Sequence, residues 1–113
     1  MTIIRGSEVQ DRSQRLVGPE VGATNISCGI AVFPPGRAIP LHTHDVEEVV
    51  VILSGEATCV LDEGTQVLHA RDTSYLPAGI PHCFRNGSAE PMSFIWIYAG
   101  VNVERHVVER PAS

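Results

Sequence analysis

The chain has 113 residues, a formal charge of −5 and eight basic side chains, all of them Arg. This length allows one domain with one modest core. The acidic balance argues against a non-specific nucleic-acid surface, which needs a basic face, and the lack of Lys excludes Schiff-base chemistry.

The opening MTIIRGSEVQ lacks the basic stretch, apolar stretch and small-residue cleavage site of an export signal, so a cytoplasmic protein is expected. No apolar run nears the ~20 residues that cross a bilayer, and no membrane partner is expected. Strand signals dominate: short runs rich in Val, Ile, Thr and aromatics, separated by Gly, Pro, Asn and Asp clusters. They predict strands near Ile26–Phe33, Glu47–Leu53, Glu56–Leu61, Thr65–Ala70, Thr73–Leu76, His82–Asn86 and Met92–Tyr98. The breaks fall at Pro34–Gly36, Ser54-Gly55, Asp62–Gly64, Pro77–Gly79 and Asn86-Gly87. The Asp62–Gly64 break reads as a hairpin tip. The first dozen residues and those from Val101 carry weaker patterns, and Val101–Val108 fits either an edge strand or a partner-docking tail. Strands this short and evenly spaced predict an all-β fold, closed or sandwich-like. Cys28, Cys59 and Cys83 form no CxxC pair and read as reduced thiols packed in strands.

Side chains alternate along a strand, so His42 and His44 share a face and Thr43 opposes them. If the chain stays extended through Asp45-Val46, Glu48 joins the histidines and Glu47 faces away. His82 opens a later strand after the Pro77–Gly79 turn. A lone His on a strand is more often a packed or surface residue than a ligand. Three imidazoles and a carboxylate converging inside a barrel would instead suit a divalent transition metal, with one or two coordination positions open. His69 and His106 read as ordinary surface or packing residues, Cys83 should face away from His82, and Arg37 and Arg85 read as solvated.

Two motifs carry a family resemblance. Gly36-x5-His42-x-His44-x3-Glu48-x6-Gly55 resembles the first cupin motif at every fixed position. Pro77-x-Gly79-x2-His82-x3-Asn86 resembles the second, whose leading glycine is replaced here by Arg71. The resemblance is to small single-domain cupins, with one domain over 1–113 and motifs at 36–55 and 71–86. It implies a small antiparallel β-barrel of the cupin, or jelly-roll, type. It also implies that His42, His44, Glu48 and His82 bind one divalent transition metal ion, with Fe, Mn, Ni and Zn as the candidates. The family glycine serves a turn that favours positive φ, so Arg71 suggests a relaxed turn there.

Parity sends Val50 and Ile52 inward with Glu48, and Val49, Val51 and Leu53 outward. A strand apolar on both faces is buried on both, so a homodimer covering the outer face is expected, with cover by a terminal segment as the alternative. Phe33, Phe84 and Trp96 are the candidates for the cofactor-facing and ligand-facing wall. Glu48, Tyr75 and Tyr98 are the candidates for proton transfer. The expected partner is a small organic molecule, with no nucleic acid. Two functions compete: a metal-dependent enzyme working by O2 activation, dioxygenase-like, or by Lewis-acid carbonyl chemistry; and a non-catalytic metal-binding or metabolite-binding barrel. An inherited, metal-free site is a third reading, but it would bury these polar groups at a cost without need.

Overall fold

The computed structural model describes residues 1–109, which form ten strands. In chain order these are β1 (Gln14–Val17), β2 (Ser27–Phe33), β3 (His42–Thr43), β4 (Glu48–Ser54), β5 (Ala57–Leu61), β6 (Gly64–Leu68), β7 (Thr73–Leu76), β8 (His82–Arg85), β9 (Met92–Tyr98) and β10 (His106–Val107). They make two five-stranded antiparallel sheets, ordered β1-β2-β9-β4-β7 and β10-β3-β8-β5-β6. The architecture is a small all-β barrel of the jelly-roll type. Among the described residues no helix is long and apolar enough to cross a membrane.

The long strands follow their alternation. In β4 the side chains of Glu48, Val50 and Ile52 are buried, while Val49 and Val51 are half-buried and Leu53 is exposed. Their β9 neighbours in register are Tyr98, Trp96 and Phe94, and the row continues across to β2 with Gly29 opposite Trp96 and Ala31 opposite Phe94. Gly29 has a steric reason: a Cβ there would lie 2.3 Å from Trp96 Cζ2 and 2.6 Å from the Gln14 carbonyl oxygen. The indole therefore lies against bare backbone, a use of strand glycine for close approach. Phe33, Val50, Ile52, Met92 and Phe94 of the first sheet meet Ala57, Cys59 and Phe84 of the second in one core. A smaller cluster of Leu41, Val60 and Cys83 also forms, with Ile39 and Val108 packed against it.

The seven strands expected from the sequence all form, two of them at the expected bounds and the others with ends shifted by at most two residues. The hairpin tip is Asp62-Glu63, between Leu61 and its partner Gly64. β1 and β3 were not anticipated, since neither stretch shows a strand-length apolar run. For the stretch from Val101, the edge-strand alternative is the one that forms, with His106 and Val107 paired to Thr43 and His42. Arg71 corrects an expectation. The turn is not relaxed, because Arg71 itself takes the left-handed conformation at φ 73°. Its amide donates to the Ile52 carbonyl at 2.8 Å, and Asp72 returns a bond to the Ile52 amide at 3.0 Å. These two bonds hold an arginine where the cupin pattern has glycine, at a steric cost of roughly 1–2 kcal/mol.

Candidate metal centre

The centre spans both sheets. His42 on β3 and His82 on β8 are direct partners across the second sheet. After His44 the chain bends at Asp45-Val46 and crosses to the first sheet, where Glu48 opens β4. The chain is thus not extended through this link, yet the faces come out as parity assigns them: Glu48 is 5 % exposed and points in, and Glu47 is exposed. His42, His44 and His82 are each 2–3 % exposed. One ring nitrogen from each imidazole lies within 4.8 Å of the other two.

The hydrogen bonds decide which nitrogen faces inward. Nδ1 of His42 donates to the Pro40 carbonyl at 2.7 Å, Nδ1 of His82 to the Ile80 carbonyl at 2.8 Å, and Nδ1 of His44 to the Glu104 carbonyl at 3.1 Å. A backbone acceptor on Nδ1 fixes the tautomer and leaves Nε2 as a lone pair, the usual outer-shell arrangement of a ligating histidine. The lone pairs converge: His42 Nε2 lies 3.1 Å from His44 Nε2, and Glu48 Oε1 lies 3.1 Å from His82 Nε2 and 3.9 Å from His44 Nε2. Two imidazole acceptors facing at such a distance repel unless a cation or proton lies between them. Burial, the largest influence, pushes the His42 imidazole down to about 4, against the Pro40 bond, and lowers His44 in the same way. His42 and His44 are thereby kept neutral near pH 7, the form that binds metal. Three neutral nitrogens with an adjacent carboxylate oxygen suit a divalent transition metal.

A cavity of about 520 Å³ opens from this cluster. Phe33, Phe84, Trp96 and Tyr98 all line it. Phe94 ties the wall together, edge-on to Phe33 at 5.5 Å and tilted against Phe84 at 5.2 Å. Trp96 packs on Tyr98 at 4.9 Å. The Tyr98 hydroxyl donates to His44 Nε2 at 3.2 Å. Burial first, then the Glu48 carboxylate, raises the Tyr98 pKa, while Arg105 pulls it down, so the phenol holds its proton at neutral pH.

Tyr75 is a correction, since the structure does not bring it to the cavity. It pairs with Val49 and so shares that residue's outer face, 58 % exposed, with its hydroxyl donating to Glu47 Oε1 at 2.9 Å. Cys83 faces the Leu41 cluster, away from the histidines. His69 and His106 are exposed and sit beside Glu56 and Asp45, both at 3.3 Å. Arg37 is exposed, as expected, but its guanidinium stands 5.6 Å over the Phe33 ring and lines the cavity.

Sequence reasoning missed the part that the C-terminal segment plays. Val103 and Arg105 line the cavity, and the Glu104 carbonyl is the acceptor that orients His44. The only signal was the weak alternation in VNVERHVV.

A family model described as a cupin domain matches residues 29–98. Over 77 residues the chain is 34 % identical to the polyketide synthase CurC of Streptomyces cyaneus, covering 67 % of this chain and 50 % of that protein. Over 51 residues it is 39 % identical to quercetin 2,3-dioxygenase of Bacillus subtilis, covering 44 % of this chain and 15 % of that one. The chain spans half or less of the length of these two relatives. Among solved structures, the polyketide cyclase RemF from Streptomyces resistomycificus superposes with a TM-score of 0.86 at 20 % identity. That superposition covers 98 % of this chain and 87 % of the other, and it is a likeness of fold.

Proposed function

The chain belongs to the cupin family, and from that premise we propose that it is a metal-dependent enzyme acting on a carbonyl group of a small organic molecule. His42, His44 and His82 hold the ion through Nε2, and Glu48 through a carboxylate oxygen; the candidate ions are Fe, Mn, Ni and Zn. Bound there, the ion supplies Lewis-acid polarisation of an oxygen ligand. The observation that carries this reading is the protonated Tyr98 hydroxyl beside the His44 Nε2 lone pair. With that lone pair committed to the ion, the Tyr98 O–H donates to an oxygen of the substrate instead. A buried phenol that keeps its proton at pH 7 can stabilise an enolate as it forms and return a proton to it. Phe33, Phe84 and Trp96 orient an apolar or aromatic body against the reacting end and keep water from it. The polyketide synthase relative supports a carbonyl-rich substrate.

A second reading is O2 activation, favoured by the quercetin 2,3-dioxygenase relative. One experiment separates the two. Protein loaded with Fe, Mn, Ni or Zn is incubated with β-diketones, keto acids and catechols, in air and under nitrogen. Conversion of a carbonyl compound under nitrogen is the expected result. Oxygen uptake with a catechol would replace it with the dioxygenase reading. Binding without turnover in every form would make the protein a metabolite-binding barrel.

We also infer a homodimer. The outer face of the first sheet presents Cys28, Ile30, Ile95, Ile97, Val49 and Val51 in register, all half-buried, beside exposed Tyr75. A second copy of the chain covers such an apolar face. Light scattering should give twice the chain mass for the wild type and a single chain mass for Ile95→Asp. A wild-type monomer contradicts the inference.

A further inference from the structure

The cavity carries a charge pattern unlike that of the chain as a whole. Its lining holds two guanidiniums, Arg37 and Arg105, against the single carboxylate of Glu48, so it is net positive before any metal ion is added. The chain around it has a formal charge of −5. A concave site of one sign inside a body of the other concentrates oppositely charged ligands. Among the described residues, neither Arg37 nor Arg105 has a carboxylate within ion-pair distance. Arg37 instead stands over the Phe33 ring. The Arg105 charge is felt at His42, His44 and Tyr98.

Arg105 also sits on a backbone fixed on both sides. The preceding carbonyl, that of Glu104, accepts from His44 Nδ1 at 3.1 Å. On the other side His106 and Val107 pair with Thr43 and His42, and the Val108 amide donates to the Leu41 carbonyl at 2.9 Å. His106 Nε2 further meets Asp45 Oδ2 at 3.3 Å. An exposed arginine on a free tail would gain little from pointing at a cavity. This one is carried there by the segment that orients a metal-site histidine.

We propose that Arg105, assisted by Arg37, is the anion-binding end of the cavity, and that the molecule taken by this protein is an apolar or aromatic carboxylate. The guanidinium fork donates to both carboxylate oxygens in a bidentate pair, which an ammonium cannot match. The aromatic wall takes the body of the ligand, and its carboxylate end lies beside Tyr98 and the histidine cluster, where the Arg105 charge acts.

This inference deepens the metal-dependent reading, but one arm of its test needs no metal, so the two can fail separately. Benzoate and its neutral isostere benzamide are titrated calorimetrically into zinc-loaded and metal-free protein. Wild type should bind benzoate at least about tenfold more tightly than benzamide in both forms, the margin of a charge-assisted pair partly exposed to water. Arg105→Gln should remove most of that margin with zinc content unchanged, and Arg105→Lys should restore part of it. No preference for benzoate in wild type, or an equal preference in Arg105→Gln, would overturn the proposal. So would joint loss of zinc and benzoate binding in both variants, which would make Arg105 a strut for the tail. Failure of zinc to bind, with an Arg105-dependent benzoate margin in the metal-free protein, would leave the proposal standing and remove the metal.

Discussion

The first sheet carries the same two residue types on both of its sides. Inside, Glu48 and Tyr98 are partners across β4 and β9. Outside, Glu47 and Tyr75 are joined by a 2.9 Å hydrogen bond. The carboxylates are neighbours in sequence, yet Glu48 is 5 % exposed beside three imidazoles while Glu47 lies in solvent. Burial raises the Tyr98 pKa; the bond to Glu47 is the main reason that of Tyr75 rises. Chemical type therefore does not assign a role here. The face of the sheet does, through the groups it collects and the water it excludes.

The largest consequence of the inner environment concerns acid. Burial keeps His42 neutral down to about pH 4, whereas the unfolded imidazole takes its proton near 6.5. Between these values the unfolded chain binds more protons, so falling pH destabilises the fold. Metal-free protein should lose about 3 kcal/mol of unfolding free energy from pH 7 to pH 4 on this account, with His44 adding in the same direction. Urea titrations across that range measure it, and a flat profile would mean the inner histidines are hydrated.

Next is the carboxylate pair. Glu48→Gln should weaken metal binding at least about a hundredfold, beyond what loss of an outer-shell partner usually costs, and Glu47→Gln should leave it unchanged. Competition with a chromophoric chelator gives both affinities, and equal effects would erase the distinction between the faces. The tyrosine pair follows. Tyr98→Phe should lower turnover of a carbonyl substrate by about a hundredfold with metal content intact, while Tyr75→Phe should stay within roughly twofold. A comparable loss in Tyr75→Phe would place the proton donor outside the cavity.

The smallest effect lies away from both pairs. Arg71→Gly should raise stability by about 1 kcal/mol, since glycine takes the left-handed conformation without a Cβ clash. A lower melting temperature in that variant would show that the arginine side chain makes up for its backbone.

Period-two alternation made the inner and outer rows of β4 legible, because the strand is long and one face meets the core. The same alternation put Glu48 inside, although the chain reaches it through a bend between sheets and not by the assumed extended run. His82 was legible through the spacing of the Pro77–Gly79 turn. Tyr75 was misplaced because a four-residue strand offers too few positions to fix its phase. The contribution of Glu104 is a backbone carbonyl, which no side-chain pattern can announce. Arg105 depended on the pairing of a two-residue strand some sixty residues from its partner.

The contrasts in metal affinity and turnover rest on His42, His44, His82 and Glu48 holding one ion. Elemental analysis of purified protein, before and after reconstitution with Fe, Mn, Ni or Zn, tests that most directly. About one equivalent per chain is predicted, lost in His42→Ala and in His82→Ala. Less than about a tenth of an equivalent, with no uptake on reconstitution, would contradict it.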